Sequence, residues 1–223
     1  MLDPTFTAVV IATPHGGDVS PYWLDAFIGL EKPLRADGSP GWSRVSAVRQ
    51  EVATARNMLA QTFLHKTDAS HLLFWDDDVL PPADGLMRLL EDDAPIVSGF
   101  YTSRQAPVQP IAYRRADKKG HHYQPVMPVN PGKFLVDGCG AGFLLIRREV
   151  FEKLRRPWFQ FLCGRAKGSN VSEDFYFCEK AIKAGYQIIV DSRVSCGHVG
   201  RYIFDDGDIV QGEGANDSIH PHA

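Results

Sequence analysis

His71-Leu-Leu-Phe-Trp-Asp-Asp-Asp-Val79 carries four consecutive large apolar residues straight into three consecutive carboxylates. A run this short, closed by turn-forming acids, reads as a strand buried on both faces, as in a parallel sheet. Side chains alternate along such a strand, so Asp76 and Asp78 are expected to point the same way as they leave the sheet edge.

The neighbouring segments repeat the pattern. Thr7 to Thr13 (TAVVIAT) is an apolar, β-branched run ending at Pro14-His-Gly-Gly, which predicts a strand delivering its end to a loop. Between the two runs, Val48, Val52, Ala55, Leu59 and Phe63 recur at helical spacing, predicting an amphipathic helix over 46–64. Pro81-Pro82 opens a second predicted helix to about Leu90, since proline suits a first turn. Pro95 to Tyr101 (PIVSGFY) supplies a third strand. This β-α-β-α-β alternation predicts the α/β class: a Rossmann-type α/β/α sandwich with a mainly parallel central sheet and strand ends sharing one edge.

Downstream, residues 103–132 carry Pro107, Pro110, Pro125, Pro128 and Pro131, and a short strand inside a long loop is expected. Order returns with Phe134 to Val136, the glycine-rich turn Gly138-Cys-Gly-Ala-Gly142, a strand over Phe143 to Ile146 and a helix over Glu149 to Leu154. Glycines so spaced suggest close backbone approach. A helix is predicted over Glu173 to Ala184, with Ser172 as N-cap and Gly185 just past its end. Strands follow over Tyr186 to Val190 and Val194 to Gly200. The organisation expected is one folded domain, residues 1–204, with an extended tail over 205–223 that is rich in Asp, Gly, Glu, His and Pro and has no periodicity.

With 223 residues, 44% of them hydrophobic, the chain can close one sizeable core. A net charge of −3 gives no global basic field, which argues against coating of nucleic acid. The start has no positive n-region and its first apolar run is too short for a signal or span, so no membrane association is expected. Four cysteines without C-x-x-C or zinc-type spacing fit reduced thiols and a cytoplasmic location.

Three adjacent carboxylates concentrate more negative charge than a turn requires, and a hard divalent cation with oxygen ligands neutralises it economically. The alternative is a solvated turn capping the following helix. Here HLLFWDDDV resembles the D-x-D segment of glycosyltransferases with the GT-A fold, especially the family 2-like members. Ala55-Arg56-Asn57 is similar to their A-R-N helix segment, and Thr13-Pro14 resembles the nucleotide-contacting end of their first strand. The likeness spans most of Thr7 to Gly200. It implies that Thr13, Pro14, Arg56 and Asn57 line the nucleotide site, that Asp76 contacts ribose or metal, with Asp77 beside it, and that Asp78 ligates Mn²⁺ or Mg²⁺ bridging the diphosphate of a UDP-sugar. His198 is similar to the late histidine that completes the metal site in many such enzymes. Ser172-Glu173-Asp174 resembles the E-D pair near the acceptor, which makes Asp174 the base and Glu173 its second. Arg104 falls where relatives contact the donor, and Asp137 precedes a turn that in relatives lies near donor sugar or acceptor.

Each of these has a plainer reading. Acids in a helix's first turn are favoured by the macrodipole alone, an isolated histidine is commonly structural, Arg104 can form a surface ion pair, and the glycine turn can be a tight connection. The glycines match no P-loop, and a Q-x-x-R-W motif of processive synthases is absent. The expected activity is therefore transfer of a single hexose to an acceptor hydroxyl, with inversion. The rivals are a sugar-nucleotide nucleotidyltransferase and an inactive nucleotide- or carbohydrate-binding module. The basic cluster Arg114, Arg115, Lys118, Lys119, His121 and His122, beside Tyr113 and Tyr123, raises a hydroxylated DNA base as one acceptor class beside carbohydrate, although a solvated loop is the plainer reading of the cluster.

Overall fold

The computed structural model describes residues 8–116, 123–164, 170–200 and 203–204. Along the chain, β1 (Val9–His15), α1 (Pro21–Gly29), β2 (Trp42–Val48) and α2 (Val52–Lys66) come first. Next are β3 (His71–Trp75), β4 (Val79–Leu80), α3 (Gly85–Glu91) and β5 (Ile96–Phe100). Then β6 (Ala112–Arg115), β7 (Tyr123–Pro125), β8 (Lys133–Val136), β9 (Gly138–Cys139), β10 (Phe143–Arg147) and α4 (Arg148–Lys153) follow. The chain continues with α5 (Glu173–Lys183), β11 (Ile188–Ser195), β12 (Gly197–Val199) and β13 (Ile203–Phe204).

The α/β class stands. A seven-stranded sheet in the order β2-β1-β3-β10-β5-β11-β8 forms the centre. Its β1, β2, β3, β5 and β11 run one way, while β10 and β8 run against them. The sheet is thus mixed: β10 inserts antiparallel between β3 and β5, which apolar runs alone do not disclose. Every residue of β3 and β5 is buried. Alternate side chains feed two cores. Val10, Ala12, Leu72, Phe74, Leu144 and Ile146 pack on one face with Leu59 and Phe63 of α2 and Phe177 of α5. Val9, Ile11, Leu73, Trp75, Phe143 and Leu145 pack on the other with Trp23 of α1 and Leu86 of α3. Helices therefore flank both faces.

Two local expectations are corrected. Residues 46–48 end β2 rather than opening a helix, and the helix begins at Val52, where the Glu51 carboxylate accepts from the N–H groups of Ala53 and Thr54 at 2.9 Å each. Arg49, at φ 54°, breaks the chain between strand and helix, so Val48 matched the helical period only by spacing. Likewise Pro81-Pro82 precede α3 instead of opening it; the helix starts at Gly85. The end of α5 meets expectation: Gly185 takes φ 93°, and the N–H groups of Gly185 and Tyr186 bond back to Ile182 and Ala181. All four cysteines are free thiols. No helix among the described residues is long and apolar enough to cross a membrane. The predicted tail, 205–223, lies outside the described residues.

Candidate functional site

The parallel strands β1, β3 and β5 end at one sheet edge, and β10, running the other way, begins there with Phe143 opposite Trp75. That topology brings the Asp76–Asp78 turn, the loop after β1, Arg104 beyond β5 and the glycine turn to one place. Arg56, in the second turn of α2, is the hub. It is only 2% exposed. Its guanidinium holds Asp76 with two bonds of 2.9 Å, reaches Glu173 Oε1 and the Ala141 carbonyl at 3.4 Å, and lies 5.4 Å from the Phe74 ring centroid. Burial works against its charge, but Asp76, Glu173 and Asp174 outweigh that and raise its pKa. One buried cation thereby ties the Asp turn, the glycine turn and the start of α5 together.

The expectation that Asp76 and Asp78 point alike is corrected. Strand geometry stops at Trp75: the Asp76 N–H bonds to the Gly142 carbonyl at 2.9 Å and the chain turns, Val79 N–H reaching back to Asp76 at 3.3 Å. Asp76 goes to Arg56. Asp78 faces His198 Nε2 at 3.5 Å through one oxygen and Arg104 Nη1 at 2.7 Å through the other. Burial pushes the Asp78 carboxyl up, but His198 and Arg104 outweigh it and leave it below the ordinary value. Asp77 is raised by burial and by its two acidic neighbours, against a hydrogen bond from the Gly16 backbone.

His198 arrives by strand pairing. In the small sheet β13-β12-β4, His198 stands opposite Val79, and Val199 N–H bonds to the Asp78 carbonyl at 2.7 Å. The ring is packed edge-on against Tyr101, and Nδ1 lies 2.6 Å from the Thr102 carbonyl oxygen. A carbonyl only accepts, so Nδ1 carries the proton and Nε2 is the nitrogen presented to Asp78. That second-sphere restraint is the arrangement that prepares a histidine for a metal. Among the described residues no group of three or more His, Cys, Asp or Glu is gathered for a metal ion. The donor set at hand is Asp78 plus His198, which could serve a hard or borderline cation only if its remaining ligands came from outside the chain.

At the other side of Arg56, Ser172 donates its hydroxyl to Asp174 Oδ1, which also accepts the Phe175 N–H at 2.8 Å. Among the described residues Asp174 Oδ2 has no hydrogen-bond partner. Burial raises the Asp174 carboxyl, with Ser172 and Arg56 opposing. Burial also raises Glu173, followed by the charge of Asp174 and opposed by Arg56. Glu173 is itself buried, with Oε1 engaged by Arg56, whereas Asp174 is half-buried.

No family model and no curated protein matches this chain. A solved structure, that of A197 from STIV, is similar to it with a TM-score of 0.62 and 22% identity, covering 97% of this chain and 100% of that one. At that identity the likeness is one of fold.

The remaining predicted residues divide. Thr13 and Pro14 lie just before His15, the last residue of β1, both buried, and Thr13 Oγ1 has no hydrogen-bond partner among the described residues. Asn57 has a different task from nucleotide contact: its amide donates to the carbonyls of Ala53 and Phe159 at 2.7 Å, and its oxygen accepts from Trp158 and Phe159. That leaves it no spare donor or lone pair. Asp137 accepts the Arg115 N–H at 2.9 Å, which braces the start of the glycine turn against β6. Of the basic cluster, Arg115 pairs with Glu179 at 2.9 Å, Arg114 is exposed, and the other four residues lie outside the described ones. Three holders escaped sequence reasoning: Ser172 as a donor to Asp174, the Thr102 carbonyl, and Tyr101, whose hydroxyl accepts the Gly142 N–H at 2.8 Å. The last two act through tertiary contacts that leave no periodic or motif signature, while the Ser172 bond is local and was hidden behind its reading as an N-cap.

Proposed function

We propose that this chain is a metal-dependent glycosyltransferase that passes one hexose from a nucleotide diphosphate sugar, a UDP-sugar, to an acceptor hydroxyl with inversion. The observation that carries the reading is a division of labour at one sheet edge. Asp78 and His198 face each other on one side of the turn, a separate carboxylate with a free oxygen, Asp174, lies on the other, and buried Arg56 fixes the frame between them.

In this reading Asp174 Oδ2 takes the acceptor's proton as the acceptor oxygen bonds to the anomeric carbon, and the bond from that carbon to the diphosphate breaks. Burial that raises the carboxyl makes it a stronger base. Asp78 and His198 would hold Mn²⁺ or Mg²⁺, whose Lewis acidity stabilises the charge that gathers on the departing diphosphate. Asp76, paired with Arg56, sets the turn rather than binding the metal.

The test is calorimetric titration of UDP and UDP-hexoses into the protein with Mn²⁺ and then with EDTA, followed by transfer assays. Binding that requires the metal is expected. Asp174→Asn should keep that binding and lower transfer by about 10²–10⁴-fold, and Asp78→Ala should lose both. Failure of every nucleotide to bind, or full transfer by Asp174→Asn, overturns the reading. Release of pyrophosphate would instead indicate a nucleotidyltransferase.

A further inference from the structure

The two arginines at this edge hold their carboxylates in opposite ways. Arg56 has a side chain 3% exposed and grips both oxygens of Asp76. Arg104 has a side chain 48% exposed and touches one oxygen of Asp78 with one nitrogen, at 2.7 Å. Its other contact is a single 3.4 Å bond to the Val199 carbonyl. The first is a fixed structural pair; the second is a solvent-screened contact that another partner can displace.

Asp78 is also the residue on which a cation has to compete. Its other oxygen faces the His198 ring nitrogen at 3.5 Å, so Arg104 occupies the remaining negative face. Because among the described residues only Asp78 and His198 face such a cation, its coordination would be completed by oxygens from outside the protein. A guanidinium fork matches a phosphate better than it matches the single carboxylate oxygen it holds here.

We propose that Arg104 is a displaceable counter-ion that makes metal binding at Asp78 depend on the nucleotide diphosphate. With no nucleotide, the guanidinium neutralises Asp78 and disfavours a second cation; with nucleotide, it transfers to a phosphate and releases the carboxylate. Metal and nucleotide thereby raise each other's affinity, and by linkage the effect is reciprocal. The inference rests on the donor-site reading above and adds to it an order: neither partner binds well alone.

The experiment measures Mn²⁺ binding directly, from the electron paramagnetic resonance of free Mn²⁺, for wild type and Arg104→Ala with and without saturating UDP. Arg104 has a side chain 48% exposed and Asp78 one 25% exposed, so the variant leaves no carboxylate sealed from water. Wild type is expected to bind Mn²⁺ weakly alone and more than tenfold tighter with UDP. Arg104→Ala should bind Mn²⁺ alone about fivefold tighter than wild type and show a smaller enhancement by UDP. Unchanged or weaker Mn²⁺ binding by nucleotide-free Arg104→Ala overturns the role of Arg104, while UDP-dependent Mn²⁺ binding by wild type in the same experiment leaves the donor site standing. If wild type binds neither UDP nor Mn²⁺, both fall.

Discussion

In the role proposed for it, Asp174 sits between two demands, because a general base has to be ionised before the reaction and still basic enough to take a proton. Burial raises its carboxyl, while the Ser172 hydroxyl, the Arg56 charge and the Phe175 N–H hold the rise back. Ser172 occupies the N-cap position of α5 but makes no side-chain capping bond; its hydroxyl is spent on Asp174 instead. Ser172→Ala removes a group that favours the ionised form, so the folded-state pKa rises further and more alkaline conditions are needed to ionise the base. The acidic limb of the kcat/KM profile is expected to move to higher pH than in wild type, while the plateau at high pH changes less. A residue serving only the helix end would lower thermal stability and leave the limb where it was. The pH profile of kcat/KM therefore separates the two roles.

At the scale of elements, the glycine turn before β10 shows how close packing locates a site. A Cβ at Gly140 would collide with the Tyr101 hydroxyl, and one at Gly142 would come within 2.8 Å of it. That same hydroxyl accepts the Gly142 N–H, so turn and ring are fitted to each other, and Asp76 bonds to the turn through the Gly142 carbonyl. Gly140→Ala is expected to lower stability by about 1–3 kcal/mol as an overpacked position and to impair nucleotide binding through the displaced Asp turn. Tyr101→Phe should relieve part of that loss in the double variant, because the atom in the way is removed; the Ile111 methyl at 2.8 Å keeps the rescue incomplete. Denaturant unfolding of the four proteins of this cycle checks it, and strictly additive losses would sink the idea. The glycines were legible as a place of close backbone approach, although a tight connection would have used them as well. By contrast, α1 escaped notice since its apolar residues lie all round it, with Trp23 buried and Tyr22, Leu24 and Ile28 exposed, so no period marks a face. The edge strand β2 and the two-residue β4 are likewise too polar or too short to read, yet β4 is what delivers His198 to Asp78.

For the whole molecule, local patterns disclosed which segments are buried but not how they are ordered across the sheet. HLLFW and PIVSGFY read correctly as buried strands, whereas the insertion of β10 between them depends on contacts far apart in sequence. The same insertion creates a burden at the opposite edge. His71, at the start of β3, pairs with Val9 on one side and Arg147 on the other and is 7% exposed. Burial, followed by the Arg147 charge, lowers its pKa from 6.5 to about 4. Unfolding returns the ring to water and to its ordinary pKa, so between these values the unfolded chain binds a proton that the folded one refuses. Stability from this group is therefore fully present above pH 6.5 and is lost as the pH falls toward 4. The shift corresponds to about 3 kcal/mol across that window. Urea unfolding of wild type and His71→Asn at pH 7.5, 6, 5 and about 4 isolates the term, because both proteins share all other titrating groups. The wild-type advantage should shrink by up to about 3 kcal/mol toward low pH; two curves that stay parallel would mean that the fold takes up the His71 proton as readily as the unfolded chain does, with the Asp93 charge offsetting burial and Arg147.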